Sequence, residues 1–139
     1  MLKVTLEEIM SDHPVKVKET VSVGNVAHLL LRYRINGIIV VKEDDENCLA
    51  GIFTTSDLLR LLDQVIAEGG HRIEELHKVA ELPVGQFASK NIISLEKDTP
   101  LAKVIAIMHK ENVHTIPVYD KTKLVGVIGR HDVLNAALG

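Results

Sequence analysis

With 139 residues, 46% of them hydrophobic and 25% charged, the chain has the size of one globular domain or of two very small halves. A net charge of −3 and an aromatic content of 3% argue against a basic nucleic-acid interface and against a base-stacking platform. Cys48 is the only cysteine, which excludes an intramolecular disulfide and a paired-cysteine metal site. No apolar run has the length of a signal peptide or a membrane span, so we expect a cytoplasmic protein that binds neither nucleic acid nor membranes.

The first half of the chain predicts five elements in succession. A short apolar strand at residues 15–17 leads through Thr20 into a helix whose apolar residues follow i, i+3, i+4 and i+7 spacing. Two β-branched runs, residues 37–41 and 49–53, flank a polar turn and predict a hairpin. A second helix is predicted from residue 56 to about residue 68, which gives the order β-α-β-β-α.

The second half predicts the same elements after a linker. Residues 63–82 are expected to be helical, with a break at Gly69-Gly70 where one helix ends and the next begins. The strand, the hairpin strands and the final helix are then predicted at residues 93–95, 115–119, 124–128 and 131–138. For the intervening helix we expect Asp98 or Thr99 as the cap and Pro100 in the first turn.

The two halves are copies of one unit. Val15 aligns with Ile93, and residues 36–41 align with residues 114–119. Past three extra residues in the first hairpin, Asp57 aligns with Asp132. Because a copy of under about 60 residues is near the lower limit for an independent core, we expect the copies to pack sheet to sheet as one pseudo-twofold α/β (α+β) globule. The boundaries are then repeat 1 at 4–62, the linker at 63–82 and repeat 2 at 83–138.

Polar groups cluster where the second hairpin strand of each copy leads into a helix. The first copy reads Gly51-Ile52-Phe53-Thr54-Thr55-Ser56-Asp57, and the second reads Gly126-Val127-Ile128-Gly129-Arg130-His131-Asp132. One interpretation is structural: Thr54 or Thr55 caps the helix and Asp57 complements its dipole. The other is functional: the helix N-terminus and a threonine hydroxyl bind phosphate, and the carboxylate accepts from ribose hydroxyls. The retention of Asp132 without the hydroxyls favours a shared geometric role, although stabilisation of the helix dipole would also explain it.

This ordered set of motifs, present twice, resembles a tandem pair of CBS (cystathionine β-synthase-type) domains. The resemblance covers residues 4–138 and rests on Asn36-Gly37-Ile38-Ile39-Val40-Val41, His114-Thr115-Ile116-Pro117-Val118 and the two Gly-to-Asp turns. It implies a pseudo-twofold module with two clefts between the halves. It also implies an adenosyl ligand (AMP, ADP, ATP or S-adenosylmethionine) and a regulated protein partner.

The resemblance also implies which residues line each cleft. In the favoured cleft Thr54 would contact phosphate, Asp57 would contact the ribose, and aliphatic residues would sandwich the adenine. The other members of that cleft would be Ile92, Ile93, His114, Thr115, Ile116 and Pro117. The second cleft would combine Asp132 with Pro14, Val15, Asn36, Gly37, Ile38 and Ile39. It departs from the family pattern at Gly129, which replaces the hydroxyl residue, and at Ile39, which replaces proline, so Arg130 and His131 would supply its phosphate contacts.

His114 has two interpretations, as a pH-sensitive donor to phosphate or as a half-buried strand residue. The remaining histidines, including His71 and His77 in the linker, lack cysteine or carboxylate partners at ligand spacing, so no metal is expected. The chain has no recognisable nucleophile, base and acid arrangement, and we expect no catalytic residues and no enzymatic activity.

The function we expect is regulatory binding of an adenosyl ligand, with a conformational change as the signal. The rival hypothesis is a scaffold protein whose clefts stay empty and which acts through protein–protein contacts. Both final helices have more apolar residues than one buried face needs, which predicts a homodimer with an isologous interface. These residues are Leu58, Leu59, Leu61 and Leu62, with Val133, Leu134, Ala137 and Leu138 in the second copy.

Overall fold

In the computed structural model, which describes residues 4–69 and 72–139, the order β-α-β-β-α occurs twice, as predicted. The first part of the chain contains α1 (Leu6–Ile9), β1 (Lys16–Lys18), α2 (Val23–Tyr33), β2 (Gly37–Lys42), β3 (Asp45–Thr54), α3 (Thr55–Ala67) and α4 (Ile73–Ala80). After a 3-10 turn at Val84–Gln86 come β4 (Leu95–Glu96), α5 (Leu101–Glu111), β5 (Thr115–Asp120), β6 (Lys123–Gly129) and α6 (Arg130–Leu138).

The described strands form two three-stranded sheets, in the orders β1-β2-β3 and β4-β5-β6. In each sheet the first strand runs parallel to the second, and the second and third form an antiparallel hairpin. A parallel pair needs a crossover connection, which α2 and α5 supply. The predicted mixed α/β class is therefore confirmed.

The helices that follow β1 and β4 begin differently. Ser22 caps α2, because its hydroxyl accepts the N–H of Asn25 at 3.2 Å. The matching residue before α5 is Pro100, and within the described residues α5 has no side-chain cap. The prediction that Asp98 or Thr99 caps α5, with Pro100 in its first turn, is wrong. The buried Thr99 hydroxyl instead donates to the carbonyl of Glu96 at 2.7 Å.

The linker contains the predicted break between two helices. The first, α3, ends at Ala67, and Gly69 follows with φ of +95°, a backbone conformation that glycine adopts without strain. The second, α4, begins at Ile73. Gly70 and His71, which the sequence analysis singled out, lie outside the described residues.

The chain divides into two compact units whose boundaries differ from those of the sequence repeats. The first-repeat unit is residues 15–91, and the second-repeat unit combines residues 92–139 with the described residues up to Pro14. Residues 4–11, here called leading segment 1, open repeat 1 in the sequence but belong to the second-repeat unit. Residues 82–89, called leading segment 2, correspond to them in the alignment and belong to the first-repeat unit.

Backbone hydrogen bonds attach the two leading segments in the same way. Leu6 donates to the carbonyl of Thr99 at 3.0 Å, and the aligned Val84 donates to the carbonyl of Val21 at 2.8 Å. Leu6 is fully buried with the core residues of the second-repeat unit, and Val84 is fully buried with those of the first-repeat unit. The structural repeat therefore includes the leading segments, which sequence analysis assigned no element.

Each leading segment also extends the hairpin sheet at its outer strand. Ser89 exchanges two backbone hydrogen bonds with Ile52 of β3, at 2.8 and 3.0 Å. The neighbouring Gly51 must lack a side chain, since a Cβ there would lie 2.7 Å from the Cβ of Ala88 and 2.8 Å from the carbonyl oxygen of Ser89. Gly126 occupies the equivalent position, where a Cβ would lie 2.7 Å from the carbonyl oxygen of Ser11. The first glycine of each Gly-to-Asp turn thus makes room for a leading segment.

Candidate functional site

The turn from β3 into α3 is held by a reciprocal capping box. The Thr54 hydroxyl accepts the N–H of Asp57 at 3.1 Å, and Oδ2 of Asp57 accepts the Thr54 N–H at 2.9 Å. The same Oδ2 accepts the Thr54 hydroxyl proton at 2.9 Å. The capping interpretation is confirmed, with Thr54 and not Thr55 as the cap. These bonds fix the orientation of the carboxylate.

The other oxygen of this carboxylate has a charged partner that sequence analysis missed. Nη1 of Arg60, one helical turn later, donates to Oδ1 of Asp57 at 2.9 Å. The Arg60 side chain is 65% exposed, whereas the Asp57 side chain is 11% exposed. The i, i+3 spacing of the two residues in a predicted helix is the signal that could have revealed the pair.

The equivalent turn of the second repeat keeps half of this arrangement. The N–H of Gly129 donates to Oδ2 of Asp132 at 2.8 Å, which matches the bond from Thr54 to Asp57. Glycine has no hydroxyl, so the other half of the box is missing. What the two turns share is a carboxylate bound to the backbone N–H of the residue before the helix.

His114 and Arg130, which the sequence analysis assigned to different clefts, are neighbours. The carbonyl of His114 accepts the N–H of Arg130 at 3.1 Å, and Nε2 of His114 lies 3.5 Å from Nη1 of Arg130. His114 is exposed and immediately precedes β5, so its interpretation as a half-buried strand residue is wrong. In the first repeat the carbonyl of Asn36 accepts the N–H of Thr55 in the same way, at 2.9 Å. His131 is exposed on the first turn of α6.

Strand alternation separates the apolar residues that were grouped as adenine contacts. Ile38 and Ile116 are buried in the cores of their own units. Because neighbouring strand residues point to opposite faces, Ile39 and Pro117 lie on the faces away from those cores. The two side chains of each neighbouring pair therefore point to opposite faces of their strand. Of the other expected contacts, Gly37 and Thr115 open β2 and β5, and the partly buried Pro14, Val15, Ile92 and Ile93 precede β1 and β4.

The structure describes each half of the predicted clefts within its own unit. Thr54 and Asp57 lie with Asn36 in the first-repeat unit, and Asp132 lies with His114 and Arg130 in the second-repeat unit. The combination of Asp57 with residues 92–93 and 114–117 stays a prediction, as does the second cleft.

A separate groove of about 660 Å³ lies in the second-repeat unit. Its lining includes Ser94, Asp98, Lys103, Tyr119 and Lys121, but none of the predicted ligand-binding residues.

In residues 4–69 and 72–139, no three His, Cys, Asp or Glu side chains are grouped so that they could hold a metal ion. Over the same residues, no helix is long and apolar enough to cross a membrane.

Lys97 connects three parts of the second-repeat unit. Its Nζ lies 3.1 Å from a carboxylate oxygen of Glu7 in α1 and 3.4 Å from one of Asp120 at the end of β5. The hydrogen bond to Glu7, followed by the charge of Asp120, raises the pKa of Lys97 above its ordinary value. These two contacts link leading segment 1 to the end of β5.

Comparisons with known proteins agree with this architecture. A curated relative, the L-aspartate semialdehyde sulfurtransferase of Methanocaldococcus jannaschii, is 26% identical over 92% of this chain, which spans 22% of that protein's length. The solved CBS-domain protein ATU1752 of Agrobacterium tumefaciens superposes with a TM-score of 0.78 at 22% identity, covering 99% of this chain and 96% of that one.

A second solved structure is the CBS domain pair of protein MJ0100 in complex with 5′-methylthioadenosine and S-adenosyl-L-methionine. It has a TM-score of 0.74 at 22% identity and covers 96% of this chain and 95% of that one. The family model for the CBS domain matches residues 6–64 and 84–139. The chain therefore belongs to the CBS-domain family and carries two copies of that domain.

Proposed function

We propose that this chain is a regulatory CBS pair that binds an adenosyl ligand, an adenine nucleotide or S-adenosylmethionine, at the Thr54–Asp57 turn and signals by conformational change. The observation that carries the proposal is the fixed Asp57 carboxylate at the N-terminus of α3. Family membership and the adenosyl compounds bound by the MJ0100 domain pair support it.

The Asp57 carboxylate is suited to a ribose diol. Ionised carboxylates act as acceptors, with about two sites on each oxygen. Oδ2 is occupied by the two donors of Thr54, whereas Oδ1 accepts from the exposed Arg60. Oδ1 is therefore the atom to which ribose hydroxyls would donate.

Thr54 acts in this proposal mainly by positioning Asp57. Its hydroxyl already donates to Oδ2 and accepts the Asp57 N–H. To donate to a phosphate oxygen as well, it would have to release Oδ2, since a hydroxyl has one proton. The predicted phosphate contact from Thr54 thus requires one hydrogen bond of the capping box to be exchanged for another.

Isothermal titration calorimetry with AMP, ADP, ATP and S-adenosylmethionine tests the proposal. We expect at least one ligand to bind the wild type and Asp57→Ala to abolish that binding. The matched control is Asp132→Ala, which removes the same backbone-to-carboxylate bond in the other repeat and should leave binding at the Asp57 site intact. Absence of heat with all four ligands would overturn the proposal, as would equal losses in both variants.

We also propose that the chain forms a homodimer through α3 and α6. Leu59 and Leu134 occupy equivalent positions on these helices and are 68% and 49% exposed. Large exposed apolar side chains repeated at one position of both copies favour an isologous interface with a second copy of this chain. This surface is also what the rival scaffold function would use if no adenosyl ligand bound.

The proposed role is binding and not catalysis. The sulfurtransferase relative has an enzyme name, but this chain spans only 22% of its length. Its activity is therefore not transferred to this chain. The regulated partner would be another protein that responds to the ligand-bound conformation.

A further inference from the structure

Arg60 is the charged partner of the carboxylate that the proposed function assigns to the ribose. Its Nη1 is 2.9 Å from Oδ1 of Asp57, and it is the exposed member of the pair. A ligand that reaches Oδ1 must therefore either share this oxygen with the guanidinium or displace it. Exposed ion pairs contribute little net stability, so such an exchange is energetically accessible.

The charge of the ligand determines how unfavourable it is to displace Arg60 from Oδ1 of Asp57. A neutral ribose diol whose two hydroxyls fill both acceptor sites of Oδ1 leaves Arg60 without its ionic partner. A ligand with a phosphate offers the guanidinium a replacement, since arginine binds phosphate oxygens through two parallel N–H bonds. Arg60 would then move from Asp57 to the ligand, and Oδ1 would be released to the ribose.

The second repeat lacks this feature. The residue that aligns with Arg60 is Asn135, which is uncharged and exposed on α6. The Asp132 carboxylate therefore has no cation at the position that Arg60 occupies beside Asp57. Any charge selection by an arginine at this position is confined to the first repeat.

We propose that Arg60 is a specificity-determining residue that selects adenosyl ligands with an anionic group over uncharged ones at the Asp57 site. This inference rests on the proposed function but goes beyond it, because it predicts which adenosyl ligands are preferred. It makes a phosphorylated nucleoside the favoured ligand class, ahead of adenosine or an uncharged thioether of adenosine.

The test compares AMP with adenosine by calorimetric titration of the wild type, Arg60→Gln, Arg60→Lys and Lys78→Gln. The wild type should prefer AMP. Arg60→Gln should weaken AMP binding by about tenfold, as loss of one charge-assisted contact implies, and change adenosine binding by less than about twofold. Arg60→Lys should be intermediate, because an ammonium lacks the planar fork. Lys78→Gln, which removes one positive charge from the exposed i, i+3 pair with Glu75, should match the wild type.

Each other result overturns the inference. If Arg60→Gln weakens the binding of AMP and of adenosine equally, or changes the binding of neither, Arg60 does not select ligands by charge, although the proposed function stands. If the wild type binds neither AMP nor adenosine but binds S-adenosylmethionine, the inferred preference for a phosphorylated nucleoside is refuted while adenosyl binding remains. If nothing binds, both proposals fall. A purely structural ion pair would lower the melting temperature of Arg60→Gln without changing the ratio of the two affinities.

Discussion

Ser11 and Val127 exchange two backbone hydrogen bonds, at 3.0 and 3.1 Å, although Ser11 lies near the start of the first sequence repeat and Val127 lies in the second. The aligned pair, Ser89 and Ile52, forms the same two bonds in the other unit. Each compact unit is thus completed by the segment at the start of the opposite sequence repeat. Neither sequence repeat taken alone contains all the residues of one structural unit.

The close approach of leading segment 2 to Gly51 leads to a stability prediction. Gly51→Ala would place a Cβ within 2.8 Å of a backbone oxygen, which a shift of flexible side chains cannot relieve. We expect a loss of about 1–3 kcal/mol in the free energy of unfolding, as for overpacked sites, measured by urea denaturation followed by circular dichroism. Gly129→Ala is the control, since its Cβ would meet nothing closer than 3.5 Å and alanine at this N-cap should lower the free energy of unfolding by less than about 1 kcal/mol. Equal stability of both variants would contradict the assigned role of Gly51.

The capping box predicts different effects for two substitutions of Thr54. Thr54→Ala should lower the free energy of unfolding by about 1 kcal/mol. Thr54→Gly should lower it by only a few tenths of a kcal/mol, because glycine is tolerated at the N-cap. The second repeat already has Gly129 at the equivalent position with its carboxylate bond intact. Chemical denaturation of both variants measures the difference. A larger loss in the glycine variant than in the alanine variant would show that the hydroxyl does not act as a cap.

Sequence predicted the strands, the hairpins and the duplicated order because these are encoded in local apolar periodicity and in the alignment of the halves. It did not predict where Leu6 packs, since periodicity shows that a residue is apolar but not which distant core covers it. Ile38 and Ile116 were grouped with their neighbours for a similar reason. In a short run of apolar residues, the sequence alone does not show which side chains face the core and which face away from it.

The candidate site was predictable in part. The Asp57 turn was located by its motif, and duplication indicated that the carboxylate has a shared role in both copies. Arg60 and the pairing of Arg130 with His114 were missed, because both depend on side-chain directions that a one-dimensional motif does not contain. The cap of α5 was predicted wrongly because the helix begins at Leu101, which makes Pro100 the N-cap and leaves Thr99 one residue too early to cap it.

Lys97 predicts a pH-dependent contribution to stability. The raised pKa means that the folded state holds the proton more tightly than an ordinary lysine, whose pKa is 10.5. The contribution is therefore fully present below that value and is lost as the pH rises through the higher pKa of the folded state. Lys97→Met should lower the melting temperature at pH 8, and the difference from the wild type should vanish above the folded-state pKa.

Salt and a second lysine provide the controls for this experiment. Because Lys97 is at the surface, about 0.5 M NaCl should reduce the difference at pH 8. Lys103→Met, an exposed lysine on α5, should show a smaller effect at pH 8. A Lys97→Met difference that stayed constant from pH 8 to pH 12 would mean that lost packing, and not charge, is the cause.

The proposed dimer predicts that Leu59 is required for dimer formation and that the more exposed Leu31 is not. Leu59→Glu introduces a charge on α3, at the position that repeats as Leu134 on α6, and should convert the dimer to a monomer. Leu31→Glu is the matched control, because Leu31 is 75% exposed on α2 and aligns with the polar His109. Multi-angle light scattering at micromolar concentration measures both masses. A monomeric wild type would refute the dimer, and dissociation by Leu31→Glu alone would place the interface elsewhere.

Because leading segment 1 packs in the second-repeat unit, we expect Leu6 to stabilise that unit. Leu6 is fully buried with the second-repeat core, so Leu6→Ala should cost about 2–5 kcal/mol. Its effect on local opening is more specific than its effect on global stability. Amide hydrogen exchange should accelerate at Val127, whose N–H is bound by leading segment 1, more than at Ile52, which is bound by leading segment 2. Val84→Ala should give the reverse pattern, because Val84 packs in the first-repeat core. If Leu6→Ala accelerated exchange at Ile52 more than at Val127, leading segment 1 would pack with the rest of repeat 1, and its assignment to the second-repeat unit would be refuted.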